Sequence, residues 1–255
     1  MSLAYEKRKK EILERLLEEE KLYVPDLAET LNVSTETIRR DLDRLEKEGK
    51  LKKVYGGAVL ASNNPLEPPF DQKSFINSSE KQAIGRMAAS TIEDGDIIMI
   101  GNGTTALEII HHLSEKRDLT LITHSAPALL LAMEIFRGRI IFIGGEIDTQ
   151  QKSSVGPLAE LTLKKIKANK AFISAGGVSL TEGITDYDLQ EAHMSHLLAN
   201  RSDELIVLAD HTKMGEATFA NICPIEDVST IVTDWNCPEI WLEHLREKNV
   251  KVLVG

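Results

Sequence analysis

The stretch Val33-Ser34-Thr35-Glu36-Thr37-Ile38-Arg39-Arg40-Asp41-Leu42 constrains this chain more than any other, because its apolar and basic residues separate onto two sides of one helix. Ile38, Leu42 and Leu45 recur at i, i+4 and i+7, whereas Arg40 and Arg44 fall on the opposite side. One side packs, and the other is left for a partner. Ser34 stands at the N-cap position, where its hydroxyl takes a free amide of the first turn and lets the helix N-terminus approach a phosphate or a base edge.

Upstream, Ile12, Leu13, Leu16 and Leu17 form the apolar side of a first helix, and Pro25 opens a short second helix carrying Leu27, Ala28 and Leu31. Asn32 suits the tight turn between helices two and three. After Gly49, residues Lys50 to Leu60 read as two short strands around Gly56-Gly57, with Lys52 and Lys53 placed for backbone phosphates. An Arg-Arg pair by itself reads more readily as a solvated face with ion pairs, Arg39 to Asp43 or Arg40 to Glu36. The surrounding order of elements reverses that preference, because short helix, turn, capped helix and basic Gly-Gly hairpin together spell a winged helix-turn-helix. Its candidate contacts to double-stranded DNA are Ser34, Thr35, Thr37, Arg39, Arg40, Arg44, Lys52, Lys53, Tyr55, Gly56 and Gly57.

At 255 residues the chain exceeds a DNA-binding module alone and suits one small domain plus one larger. Its net charge of −10 argues at first against nucleic acid, but residues 1–60 carry thirteen Lys+Arg against thirteen Asp+Glu. The acidity belongs to the remainder. A locally neutral module must bind DNA through the placement of its bases, and an acidic second domain restricts the orientation of approach.

Only Cys223 and Cys237 are present, and no apolar run opens the chain or reaches the length of a membrane span. A soluble cytoplasmic protein with two free, partly buried thiols is expected, with no membrane partner. His193, His196 and His211, or the adjacent His111-His112, lack a surrounding set of carboxylates or thiolates, so neither a metal nor another cofactor is expected.

Ala61 to Pro69 has the small, polar, Pro-rich composition of a linker, which places a DNA-binding domain at 1–60 and an effector-binding and oligomerisation domain at 70–255. Ser79-Glu80-Lys81-Gln82 fits a capping box opening a helix through Ala89. Short apolar runs follow at Ile97–Ile100, Leu119–Ile122, Ile140–Ile143, Ala171–Ile173, Leu205–Ala209, Thr230–Thr233 and Val250–Val254, mostly separated by helical stretches. Uniformly apolar strands of this kind predict an α/β domain with a mainly parallel sheet covered on both faces.

Ligands of open α/β sheets sit beyond the carboxyl ends of the strands. There the sequence reads Gly101-Asn102-Gly103-Thr104-Thr105, Thr123-His124-Ser125, Gly144-Gly145, Ser174-Ala175-Gly176-Gly177 and Ala209-Asp210-His211-Thr212-Lys213. The first resembles a phosphate cradle opening a helix, with glycines for close approach and hydroxyls as donors. The set suits a phosphorylated polyol: threonines and Lys213 for the phosphate, and Asp186, Glu191 or Asp210 for sugar hydroxyls. Each also has a plainer reading, Lys213 as a solvated lysine, Asp210 as a turn cap and Glu191 as an exposed helix residue. The candidate effector contacts are therefore Gly101, Asn102, Gly103, Thr104, Thr105, Thr123, His124, Ser125, Gly144, Gly176, Gly177, Asp186, Glu191, Asp210 and Lys213.

Over essentially its whole length the chain resembles the DeoR family of bacterial transcriptional repressors of sugar catabolism. Leu27-Ala28, Val33-Ser34, Thr37-Ile38-Arg39-Arg40-Asp41-Leu42, Leu45, Gly49 and Gly56-Gly57-Ala58 stand where that family's signature has them. Gly103-Thr104-Thr105, Gly144-Gly145, Gly183-Ile184-Thr185, and Ala209-Asp210 with Lys213 match its effector domain, which shares its fold with ribose-5-phosphate isomerases. Departures are Tyr55 for the usual His before the glycines, His124 for a frequent Asn, and Gly176 for a common Asp. The resemblance implies a homo-oligomeric repressor of a carbohydrate catabolic operon, released from its operator by a phosphorylated sugar. The rival reading is a sugar-phosphate isomerase with an accessory DNA module, which needs a carboxylate base beside the substrate. Ser174-Ala175-Gly176-Gly177 holds no acid where the related isomerases have an acid-rich loop, so no enzyme activity is expected.

Overall fold

In the computed structural model, which describes residues 3–18, 21–47, 50–54, 56–60 and 70–255, the chain divides into the units Met1–Ile76 and Asn77–Gly255. Gly49, Tyr55 and the linker expected at 61–69 lie outside the described residues. The first unit comprises α1 (Leu3–Glu18), β1 (Leu22–Tyr23), α2 (Val24–Thr30), α3 (Thr35–Lys47), β2 (Leu51–Val54), β3 (Gly57–Leu60) and the short α4 (Phe70–Lys73).

The apolar stripes read from sequence meet in its core, where Ile12, Leu16, Leu27, Ile38, Leu42 and Leu45 are fully buried. Asn32 takes the left-handed conformation at φ 51° between α2 and α3. The wing strands β2 and β3 are antiparallel, and β1 adds to the far side of β3 in the order β1-β3-β2. Gly57 makes that addition feasible, because a Cβ there would stand 1.8 Å from the Leu22 carbonyl oxygen. Residues 70–76 pack with this unit rather than with the larger one to which the sequence assigned them. The Gln72 side-chain amide donates to the Lys50 carbonyl, and Lys50 pairs with Asp71.

The second unit runs α5 (Ser78–Ser90), β4 (Ile97–Ile100), α6 (Thr104–Ile110), β5 (Thr120–Thr123), α7 (Ala126–Ile135), β6 (Arg139–Phe142), β7 (Glu146–Asp148), β8 (Ser153–Val155), α8 (Pro157–Leu163), β9 (Ala168–Ser174), β10 (Gly177–Ser179) and β11 (Gly183–Asp186). It continues with α9 (Leu189–Asn200), β12 (Ser202–Leu208), β13 (Ala220–Cys223), β14 (Thr230–Thr233), α10 (Glu239–Glu247) and β15 (Lys251–Val254). Seven strands form one sheet in the order β15-β14-β12-β9-β4-β5-β6, every pairing parallel.

Both faces of the sheet are covered, as its apolar strands require. Met99, Ala171, Ile173, Val207 and Ile231 pack with residues of α8, α9 and α10, while Ile98, Ile100, Phe172, Ile206, Leu208 and Val232 pack with those of α5, α6 and α7. Successive side chains of one strand thus serve opposite cores. Two smaller sheets, the hairpin β7-β8 and the antiparallel β10-β11-β13, are additions that the sequence reading did not contain.

The chain order reverses between β4 and β9. From β4 the sheet grows one way through β5 to β6, and from β9 it grows the other way to β15. Such a switch point leaves a crevice at the carboxyl ends of the two strands. One expected detail is corrected: α5 begins at Ser78 behind a left-handed Asn77, and the Ser79 hydroxyl donates to its neighbour Glu80, so no capping box forms.

Candidate functional site

In the first unit, the Ser34 hydroxyl accepts the Thr37 amide at 3.2 Å, capping α3 as its sequence position requires. The face beyond the cap is open: Thr35, Arg39 and Arg40 are exposed, with Arg40 75% exposed. Arg39 and Arg40 both lean on Glu36, at 3.8 and 3.4 Å, so Arg39 takes Glu36 rather than Asp43. These are surface pairs that a phosphate can displace at little cost. Arg44 differs from Arg40, because its guanidinium sits 5.1 Å from the Tyr5 ring centroid on α1.

On the wing, Lys52 is exposed while Lys53 is paired with Asp43 and donates its amide to Glu46 at 2.8 Å. The Lys53 ammonium holds the Asp43 carboxyl below the usual carboxylate range, and Asp43 in turn raises Lys53. The two glycines divide their work. Gly56 takes a left-handed turn at φ 79° with open space around it, and Gly57 admits β1. Tyr55 lies outside the described residues. A residue that the site reading passed over is Asp41, which is buried and accepts from Arg8 Nε at 2.7 Å, tying α3 to α1.

In the second unit the switch point is occupied by Gly101-Asn102-Gly103 after β4 and by Ser174, the last residue of β9, with Ala175-Gly176 after it. Gly103 has φ 143°, and a Cβ on it would meet Ser174 Oγ at 2.3 Å, so glycine is needed on both counts. Two amides of the expected cradle are already committed: Gly101 donates to the Phe172 carbonyl at 2.8 Å, and Ala106 donates to Ser174 Oγ at 3.2 Å. Thr104 and Thr105 open α6 and are buried. The Asn102 amide nitrogen donates to the Gln151 carbonyl at 3.0 Å.

At the end of β5, Thr123, His124 and Ser125 are all buried. Thr123 Oγ1 accepts the Ser125 amide at 3.1 Å, and Ser125 Oγ caps α7 through Ala128, so these two hydroxyl oxygens serve the local backbone. His124 Nε2 faces Glu191 Oε2 at 3.4 Å, and the second Glu191 oxygen accepts the Ser153 hydroxyl. Glu191 is therefore a buried partner of the strand ends and not an exposed helix residue.

The remaining candidates separate. Asp210 is buried and accepts the Thr212 amide at 3.0 Å, the Thr212 hydroxyl and the Asn77 side-chain amide at 3.3 Å, which makes it the cap of the short 211–213 turn. Asp186 Oδ1 accepts the Asp188 amide at 3.1 Å. Lys213 lies with its ammonium 5.7 Å from the Tyr187 ring centroid, and a Cβ on Gly176 would touch that same ring at 3.0 Å. Lys213, Tyr187 and Gly176 thus share one corner. Gly177 belongs to β10, and Gly144 has open space about it.

Three of the histidines weighed as metal ligands have other partners: His193 pairs with Glu160 at 3.3 Å, His196 meets the Ile222 carbonyl at 2.8 Å, and His211 pairs with the buried Asp234 at 3.0 Å. His193 and Lys164 together hold the Glu160 carboxyl low. Gln151, Ser153, Tyr187 and Asp234 are site neighbours that the sequence reading missed, and Ser174, which it placed at a strand end, was left out of the contacts. Asp234 follows an apolar run and was open to the same strand-end rule. Gln151 and Ser153 border a three-residue strand with no apolar run to announce it.

Residues 8–64 match the profile of the DeoR-like helix-turn-helix domain, and residues 76–235 match that of the DeoR C-terminal sensor domain. The HTH-type transcriptional regulator GolR of Listeria innocua is 34% identical over 227 residues, covering 89% of each chain. IolR of Bacillus subtilis, also an HTH-type transcriptional regulator, is 31% identical over 96% of this chain and 97% of that protein. The lactose phosphotransferase system repressor of Staphylococcus aureus is 36% identical over 84% and 86%. Among solved structures, ribose-5-phosphate isomerase A of Methanocaldococcus jannaschii aligns with 54% of this chain and 55% of its own at a TM-score of 0.42 and 21% identity.

Proposed function

The chain belongs to the DeoR family of helix-turn-helix transcriptional regulators, and on that premise we propose that it is a homo-oligomeric repressor that a phosphorylated sugar releases from its operator. It is a DNA-binding regulator and not an enzyme, as its relatives are. Specific contacts fall to the open face of α3, with Thr35, Arg39 and Arg40 toward base edges or phosphates, and to Lys52, Lys53 and Gly56 on the wing. Its place of action is the cytoplasm, where operator DNA is found.

The observation that carries the effector reading is the gathering of Asn102, Thr104, Thr105 and His124 at the ends of β4 and β5, beside the switch point. Lys213 supplies positive charge from the loop after β12, and the first turn of α6 offers amides. The name of the lactose phosphotransferase system repressor points to the same class of metabolite. Support for self-association comes from apolar side chains left in solvent on two helices, Leu130 and Met133 of α7 and Leu158 and Leu161 of α8, each more than half exposed.

The test is release of operator DNA. Sugar phosphates are titrated into the protein–operator complex of the parent, of Thr105→Val and of Lys213→Ala. Parent release with a raised midpoint in both variants supports the phosphate site, and unchanged midpoints overturn it. Since a charge-assisted bond contributes about 1.5–3 kcal/mol, the expected rise is roughly ten- to hundredfold.

A further inference from the structure

We propose that Asn102 and His124 read hydroxyl groups of the effector as hydrogen-bond donors, with Glu191 and Ser153 as positioning residues. The proposal rests on the strand-end reading above and states which chemistry that site accepts. It begins from two orphaned atoms. Asn102 Oδ1 and His124 Nδ1 are both buried and have no hydrogen-bond partner among the described residues. Buried polar atoms are nearly always paired, so two orphans at neighbouring strand ends mark a place where another molecule completes the bonding.

The polarity of each atom follows from its neighbours. Asn102 gives its amide nitrogen to the Gln151 carbonyl at 3.0 Å, and because a carbonyl only accepts, the orientation of the amide is settled with Oδ1 left as an acceptor. His124 places Nε2 at 3.4 Å from Glu191 Oε2. A carboxylate also only accepts, so Nε2 carries a hydrogen, and in the tautomer with that single ring hydrogen Nδ1 keeps a bare lone pair. Both orphans are acceptors. Glu191 is steadied by the Ser153 hydroxyl on its other oxygen, which makes the Ser153–Glu191 pair the device that sets the tautomer of His124.

The two acceptors are held by one piece of chain. Gln151 binds Asn102, the Ser154 amide binds the His124 carbonyl at 2.9 Å, and Ser153 holds Glu191. Asn102 and His124 also leave adjacent parallel strands, whose last residues Ile100 and Thr123 are in register. A ligand that satisfies both must bring two hydrogen-bond donors. Free hydroxyls of a polyol do so, whereas a carbonyl or carboxylate oxygen would set lone pair against lone pair. The phosphate of the same molecule is left to Thr105 and Lys213.

The experiment uses the full-length chain with four probes, inorganic phosphate, ribose 5-phosphate, glucose 6-phosphate and glucitol 6-phosphate, each measured by calorimetric titration. For the tightest sugar phosphate, analogues with one hydroxyl replaced by fluorine keep size and acceptor character and lose the hydrogen. The expected result is that two such analogues bind the parent about tenfold more weakly. One of them should lose nothing further in Asn102→Ala and the other nothing further in His124→Phe, while inorganic phosphate binds parent and variants alike. Nitrogen NMR of the imidazole gives a second readout that does not depend on the substitutions: Nδ1 should be unprotonated in the free parent and shift on binding, and Glu191→Gln should alter the tautomer.

Fluorinated analogues that bind as the parent compound does would show that the orphaned atoms hold a water only, and would overturn the proposal while leaving the phosphate site standing. Equal sugar-phosphate affinity in parent and variants would do the same. Failure of all four probes to bind would overturn the strand-end reading and this proposal with it.

Discussion

Ser174, the last residue of β9, accepts the Ala106 amide of α6 through its hydroxyl at 3.2 Å, so the helix that follows β4 is capped from the neighbouring strand across the switch point. Its own N-cap residue, Gly103, has no side chain to do this. The cap joins two segments 68 residues apart and leaves the earlier amides of the turn for a ligand.

Replacing Ser174 by Ala is expected to lower the stability of the second unit by about 1 kcal/mol, the usual cost of a lost helix cap. Both tryptophans, Trp235 and Trp241, lie in that unit, so their fluorescence during urea unfolding follows it selectively. Gly103→Ala should cost more, because it adds left-handed strain to a 2.3 Å clash with Ser174 Oγ. A Gly103→Ala protein as stable as the parent would contradict the geometry of this turn.

The buried carboxylate of Asp41 yields a second prediction, for the DNA-binding unit. Its 2.7 Å bond from Arg8 Nε is a charge-assisted contact between α3 and α1, and Asp41→Ala leaves Arg8 without it. The expected loss is about 1.5–3 kcal/mol, read as a lower melting transition of this unit by calorimetry. Asp41→Asn keeps an acceptor and should lose less. Equal melting of all three proteins would show that Asp41 does not tie the helices together.

The seven strands of the large sheet and the wing are legible in the sequence for a plain reason. Runs such as Ile97-Ile98-Met99-Ile100 bury both faces, and Gly56-Gly57 marks a turn between short strands. The strands β7, β8 and β10 have three residues each and no such run, so the hairpin that bears on Asn102 and His124 leaves no periodic trace. The strand-end rule finds His124 and Asn102 but says nothing of what each side chain meets. The pairing of Glu191 with His124 spans 67 residues and depends on how α9 packs, which no local pattern contains. Asp41 is passed over for a related reason, since it lies next to the exposed Arg39 and Arg40 and its partner Arg8 on α1 is distant in sequence.

Cys223 gives a prediction in pH. Burial pushes its thiol up to about 12 from an ordinary value of 9.0, with the nearby Asp227 adding to the shift. In the unfolded chain the thiol ionises above pH 9, while in the folded chain it stays protonated, so the unfolded state binds fewer protons in that window. Stability is therefore full below pH 9 and falls as pH rises toward 12. Cys223→Ala should flatten this alkaline decline in urea midpoints measured from pH 8 to 11. A parallel decline in parent and variant would assign the loss to other groups. At pH 8 the native thiol should react slowly with an aromatic disulfide and quickly once unfolded.

The last prediction separates base reading from phosphate binding on the DNA-binding face. Arg40 is 75% exposed and makes a surface pair with Glu36, so Arg40→Ala should cost about 1–3 kcal/mol at a specific operator and little on random duplex, if the side chain reaches a base edge. Lys53 behaves differently, because Asp43 already neutralises it. To reach a phosphate it must leave Asp43, which makes that carboxylate a brake on wing contact. Asp43→Asn should therefore tighten binding to every duplex and steepen the dependence of log K on log salt by roughly one ion, the increment for one more engaged phosphate. Anisotropy titrations at several salt concentrations, on operator and on random DNA, measure both effects. An Asp43→Asn protein with the parent's affinity and salt slope would show that Asp43 does not restrain Lys53, and an Arg40→Ala protein that loses affinity equally on both duplexes would move Arg40 from base reading to phosphate binding.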